Sequence, residues 1–156
     1  MGAAIDTSSF EALNEISGAD PEDTQFLQAL AEQASNYVRS FRWCPPIEQL
    51  LLAFGVGGVL GLFLVRFERP IGGADDRELW IVVGDLPSAY FVTDDAESPA
   101  EALETYCELM EDWADQVLSG AGVSGSFPVA AEPTTEHAEM LKSRLEFIRE
   151  KLIPEA

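Results

Sequence analysis

The sequence predicts an α+β domain in which one helix precedes an antiparallel sheet of three or four strands, and two C-terminal helices pack on one face. Three observations carry this expectation. Apolar residues recur at three- and four-residue intervals in three separate stretches, the period of a helix with one buried side. Between the first and second of these, apolar runs alternate with breaks containing Gly, Pro and Asp, the pattern of strands joined by turns. Finally, 156 residues, 47% of them apolar, suffice for one domain. A chain of this size buries roughly two-thirds of its unfolded surface without disulfide or metal staples.

Taken in order, residues 1–19 read as a flexible acidic arm ahead of a single domain at 20–156. Asp20 and Pro21 open the first helix. Asp20 caps it, Pro21 stands where its missing N–H does no harm, and Glu22 and Asp23 face the positive end of the dipole. Phe26, Leu27, Leu30, Ala34, Tyr37, Val38 and Phe41 form the apolar stripe. "RWCPP" ends the helix, because a proline disfavours helical geometry in the residue before it. Residues 47–54 fit either a short helix closed by Gly55 or a first strand. Residues 59–69 predict a strand, "PIGGADD" a turn, 78–83 the returning strand and 90–93 a third.

Ser98 and Pro99 then open a second helix, with Ser98 and Glu101 in capping-box spacing and Gly120 at its end. Its buried stripe is Leu103, Tyr106, Cys107, Met110, Trp113, Ala114 and Val117. Its outer face carries Glu104, Glu108, Glu111, Asp112 and Asp115, like charges with no cation nearby in sequence. A Gly/Ser/Pro loop leads to Thr134, which begins a last helix striped by Ala138, Leu141, Leu145, Ile148 and Leu152 and ending before Pro154. In this helix Glu139 and Lys142, and Glu146 and Arg149, are spaced to pair.

Residues 49–65, "QLLLAFGVGGVLGLFLV", run for 17 residues without a charge and set Gly57 and Gly61 in small-xxx-small spacing. The length is at the lower limit for a spanning helix, four glycines interrupt it, and its second half alternates as a strand does. A buried strand is therefore expected in place of a membrane span. The N-terminus lacks the basic region and apolar stretch of a signal peptide, and Asp6 stands where a myristoylation pattern wants Ser or Thr. Two cysteines without metal-ligand spacing fit a reduced compartment, so a cytoplasmic location is expected.

The net charge of −19 is laid out unevenly. Lys and Arg are absent from residues 1–38 and again from 78–141, a window holding 14 carboxylates. Such a surface repels phosphate backbones and anionic lipid, which argues against nucleic-acid and membrane-surface partners and leaves cationic proteins. Solubility in a salt-rich setting explains the same bias, since seven Arg exceed two Lys among nine cations.

Candidate chemistry is sparse. Gly55, Gly57 and Gly61 follow an apolar run, yet Gly55 to Glu68 is too short for a dinucleotide-binding unit of about thirty residues, so the glycines are expected to serve a bulge or close chain packing. Trp43-Cys44-Pro45-Pro46 resembles half of a thioredoxin-type site, but the second cysteine is missing. Cys107 lies in a core stripe, and His137 is the one histidine, which removes triad and zinc schemes. No metal, cofactor or catalytic group is nominated. Asp85 is the remaining candidate, in Gly84-Asp85-Leu86-Pro87 at the end of a run apolar on both faces. An Asx-type turn held by its carboxylate is the structural expectation; a ligand cleft formed by Asp85, Tyr90, Trp43 and Trp80 is the functional one.

Trp80-Ile81-Val82-Val83-Gly84-Asp85-Leu86-Pro87-Ser88-Ala89-Tyr90, followed by "SPAEALETY", resembles a pattern found in small uncharacterised bacterial proteins. It reads W-x-V-x-G-D-L-P-x-x-Y before an ALxxY helix. The resemblance covers about residues 79–120 and implies a soluble bacterial domain without bringing an activity. Three functions follow as expectations. The first is a non-catalytic binding or regulatory module, immunity-like, whose acidic face meets a cationic protein. The second is a small-molecule-binding domain or enzyme around Asp85 and Tyr90, and the third a homodimer joined through an exposed apolar strand.

Overall fold

A computed structural model describes residues 5–71, 77–120 and 132–156. Among them the α+β class holds: one antiparallel sheet and three helices, two of them C-terminal. The chain divides into two compact units, Met1–Glu97 and Ser98–Ala156.

In the first unit, β1 (Glu11–Ala12), α1 (Pro21–Arg39), β2 (Ile47–Val56), β3 (Leu60–Phe67), β4 (Glu78–Gly84) and β5 (Ala89–Val92) follow one another. The sheet order is β1-β2-β3-β4-β5 with every neighbour antiparallel. There are five strands rather than three or four: β1 is the addition, and residues 47–54, open between helix and strand, belong to β2. β1 lies within the span expected to be an arm and is two residues long, too short to show alternation, yet it pairs Glu11 with Leu52 and Ala12 with Leu51. Ile16, just beyond it, is buried in the core. β2 carries register shifts between Ile47 and Gln49 and between Leu52 and Phe54. Each inserts a residue and erases the period-two signal by which a strand is recognised.

Asp20 accepts from the Asp23 amide at 2.8 Å and starts α1 as expected. Leu27, Leu30, Ala31, Ala34 and Val38 are its buried face. Two expected stripe members fall away. Phe41 lies past the helix end at Arg39, and Phe26, roughly a quarter-turn from the centre of the buried face, is 46% exposed. The face packs on Leu50, Leu52, Phe63, Val65, Phe67, Leu79, Ile81 and Val83, with Ile16 beside them. Gly55 and Gly61 are partners across β2 and β3. A Cβ at Gly55 would meet Leu27 at 2.8 Å, and one at Gly61 would meet Leu30 Cβ at 3.3 Å. These glycines thus permit close chain packing, as expected. Residues 49–65 form most of the β2–β3 hairpin, turned through Gly58 at φ 76° and closed by the Val59 amide on the Val56 carbonyl at 2.9 Å. No described helix is long and apolar enough to cross a membrane.

In the second unit, α2 (Pro99–Ser119) is capped by Ser98, whose hydroxyl accepts from the Glu101 amide at 3.2 Å, and closes on Gly120 at φ 75°. Its stripe is buried from Ala102 to Ala114, with Val117 half-buried. α3 (Thr135–Phe147) is capped by Thr134 and runs on through a π turn, Ile148–Leu152, into a 3-10 turn, Ile153–Glu155, that contains Pro154. Ala138, Leu141, Leu145, Ile148 and Leu152 are all buried, as their spacing predicts. The "PIGGADD" turn falls mostly on residues 72–76 and the Gly/Ser/Pro loop on 121–131, both outside the described residues.

Candidate functional site

β4 stops at Gly84, whose φ of 143° suits glycine alone, and a Cβ there would lie 2.3 Å from the Val59 carbonyl oxygen. The next amide, of Asp85, donates to that same carbonyl at 3.0 Å. The break in the strand is therefore closed by main chain reaching across to the β2–β3 turn. Asp85 is exposed and borders a hollow of about 260 Å³ whose other lining residues are Phe26, Ala29, Leu30, Gln33, Gly58 and Gly84. Gln33 crosses the hollow's edge, donating from Nε2 to the Gly84 carbonyl at 3.3 Å.

Trp43 and Tyr90 do come together, their ring centroids 5.2 Å apart, but in a different place. Phe41 stacks on Trp43 at 5.1 Å and meets Tyr90 edge-on at 5.0 Å, while Tyr37 meets Phe41 at 5.2 Å. The four rings close on one another as a half-buried extension of the core. Burial, and after it the neighbouring Tyr90, pushes the Tyr37 phenol up to about 12. Trp80 belongs to neither group. Register pairs Ile81 with Tyr90 and Trp80 with Phe91, so Trp80 points to the opposite sheet face. There it is fully buried, donating from Nε1 to the Ala96 carbonyl at 3.0 Å and lying near Phe10. The four expected ligand residues are thus distributed over a hollow, a ring cluster and a buried face.

Tyr37 and Phe41 were not among the expected site residues, although the spacing Tyr37, Phe41, Trp43 carries a readable signal of aromatics at one helix end. Phe26 and Gln33 had none, because they reach the Asp85 hollow across 51 or more residues of chain. A second hollow, of about 290 Å³ between β1, α1 and the start of β2, has Arg39 and Glu48 on its lining and none of the expected residues.

The acidic face of α2, without a cation nearby in sequence, is partly neutralised by cations from further along the chain. Arg149 bonds Glu104 at 2.8 Å and also Glu111, and Lys142 bonds Asp115 at 2.7 Å. The cations come from 27 and 45 residues further along the chain, beyond any local pattern. Lys142 and Arg149, spaced to pair with Glu139 and Glu146 on their own helix, reach across to α2. The bond to Asp115 raises the Lys142 pKa. Glu108 and Asp112 are exposed, and among the described residues neither forms an ion pair.

Both cysteines are free. Burial raises the Cys44 thiol, which donates to the Pro45 carbonyl at 3.2 Å, and pushes buried Cys107 up to about 12. Neither offers a thiolate nucleophile near neutral pH. His137 is exposed at the start of α3, its Nδ1 3.1 Å from the Glu132 carbonyl. Among the described residues no three His, Cys, Asp or Glu side chains are grouped to hold a metal ion. Comparison with protein-family models, curated proteins and solved structures finds no match.

Proposed function

We propose that this chain is a non-catalytic binding or regulatory module whose acidic surface meets a cationic protein, as an immunity protein meets a basic toxin. The observation that carries the reading is the state of charge on α2. Glu108 and Asp112 stand exposed one turn apart, while Lys142 and Arg149 are already committed to Asp115, Glu104 and Glu111. With 28 carboxylates against nine cations, internal pairing cannot consume the excess. Such a field speeds encounter with a positive partner and loses reach as salt shortens the Debye length. The W-x-V-x-G-D-L-P-x-x-Y resemblance adds a bacterial setting, and two free thiols suit a reducing cytoplasm.

Affinity capture from lysate at low and at high salt tests this, followed by titration of each purified captured protein against wild type and the E108K/D112K double variant. A basic protein that binds at low salt, leaves at high salt and loses affinity on charge reversal supports the reading. A captured set without any basic protein, or binding indifferent to both salt and reversal, ends it.

A further inference from the structure

We propose that the hollow between β1, α1 and the start of β2 binds a free aliphatic α-amino acid, a site on the first unit that does not depend on the acidic face of α2. The space exists because β1 is short. Its two residues pair with Leu51 and Leu52 alone, so among the described residues β2 starts at Ile47 with no strand beside it on that edge. About 290 Å³ stays open there, walled on the other side by the last turns of α1. Ligand pockets run from roughly 300 to 1,000 Å³, so this one suits a molecule of few heavy atoms.

The lining holds one cation and one anion, Arg39 and Glu48. Arg39 follows Ser35 by one helical turn, so both stand on the same flank of α1, and both border the hollow. Glu48 comes from the opposite wall. The register of β2 with β3 shifts between Ile47 and Gln49, which leaves Glu48 as the residue without a partner across the ladder. An irregularity of this kind re-aims a side chain. Among the described residues Arg39 and Glu48 form no ion pair, with each other or with any other group. On the same lining Ile47 and Leu50, which belong to the apolar layer under α1, supply hydrophobic surface.

That combination selects a zwitterion. A simple anion would meet Arg39 and be repelled by Glu48, and a simple cation the reverse. An α-amino acid offers a carboxylate to the guanidinium and an ammonium to the carboxylate, each through a charge-assisted bond. Its side chain is aliphatic, since Ala12, Ile47 and Leu50 are what remains for it to cover.

The test is an amide-resolved NMR titration of the full chain with L-leucine, beside L-leucinamide, which lacks the carboxylate, and N-acetyl-L-leucine, which lacks the ammonium. Saturable shifts gathered at Ser35, Arg39, Glu48 and Gln49 are expected with L-leucine, and binding weaker by about tenfold or more with either analogue, the loss of a charge-assisted bond. Arg39→Gln and Glu48→Gln, both at exposed positions, should keep the amide spectrum of the fold and each weaken L-leucine by about tenfold or more. The variants also decide which charge meets which end of the ligand. In Arg39→Gln the preference for L-leucine over L-leucinamide should vanish while that over N-acetyl-L-leucine remains, and in Glu48→Gln the reverse. Failure of L-leucine to give saturable shifts, or any other pattern of preferences in the two variants, overturns the proposal.

Discussion

At its start α1 lies against bare backbone, and at its end it rests on rings. Leu27 and Leu30 face Gly55 and Gly61, where the tips of Leu52 and Phe63 also crowd the space a Cβ would take, and the Gly58 turn and Gly84 lie at the same end of the sheet. Tyr37 instead meets Phe41 and, at 6.3 Å, Tyr90, with Trp43 stacked behind. The contrast teaches where geometry is dictated and where it is filled in. Main chain meets main chain where Gly84 closes on the Val59 carbonyl, a contact that cannot yield, and a hollow lies beside Asp85 at that end. Rings on flexible stems can shift, so the aromatic end adapts.

Substitutions can break this contrast, and the largest effect is expected where backbone meets backbone. Gly84→Ala adds a methyl 2.3 Å from the Val59 carbonyl oxygen at a φ of 143°, so a loss of about 3 kcal/mol is expected in denaturant melts. Trp43→Ala removes a half-buried ring from the adaptable end and should cost about 2 kcal/mol. Gly61→Ala meets the flexible tip of the Phe63 ring at 2.7 Å, and about 1 kcal/mol is expected. If Gly84→Ala proved milder than Trp43→Ala, the distinction between the two ends would collapse.

Alkaline pH sharpens the comparison from the aromatic side. The folded chain holds Tyr37 at about 12 against 10.0 for a free phenol, so it favours the neutral form. That contribution is fully present below pH 10 and is lost as pH rises through 12. Cys107 behaves alike from 9.0 to about 12. Thermal melts should therefore fall across pH 9 to 12, and Tyr37→Phe should remove the part that begins near 10. The smallest expected effect is at Glu108, exposed and outside the ion pairs of α2, where Glu108→Gln should change stability by no more than about 0.5 kcal/mol.

Both C-terminal helices, three strands and the cap of α1 were legible because each announces itself locally. Asp20, Ser98 and Thr134 sit where a first turn needs an acceptor, and each makes its cap bond. β1 was hidden by brevity and β2 by its bulges. What joins the hollow was hidden for another reason: Gln33 and Gly84, or Arg149 and Glu104, meet through tertiary geometry that has no period along the chain. Trp80 shows the same limit in reverse. Its neighbourhood to Asp85 in sequence suggested a shared cleft, whereas pleating turns successive side chains to opposite faces.

The uninterrupted sequence order of the sheet bears on how the molecule is made. Because each strand hydrogen-bonds to the one synthesised just before it, no pairing in the ladder waits for a segment further downstream. Every strand is complete by Val92, ahead of α2, so the ribosome can release a finished ladder before either C-terminal helix emerges. The connections from β2 to β5 are short closures of the kind found in the faster class of β topologies.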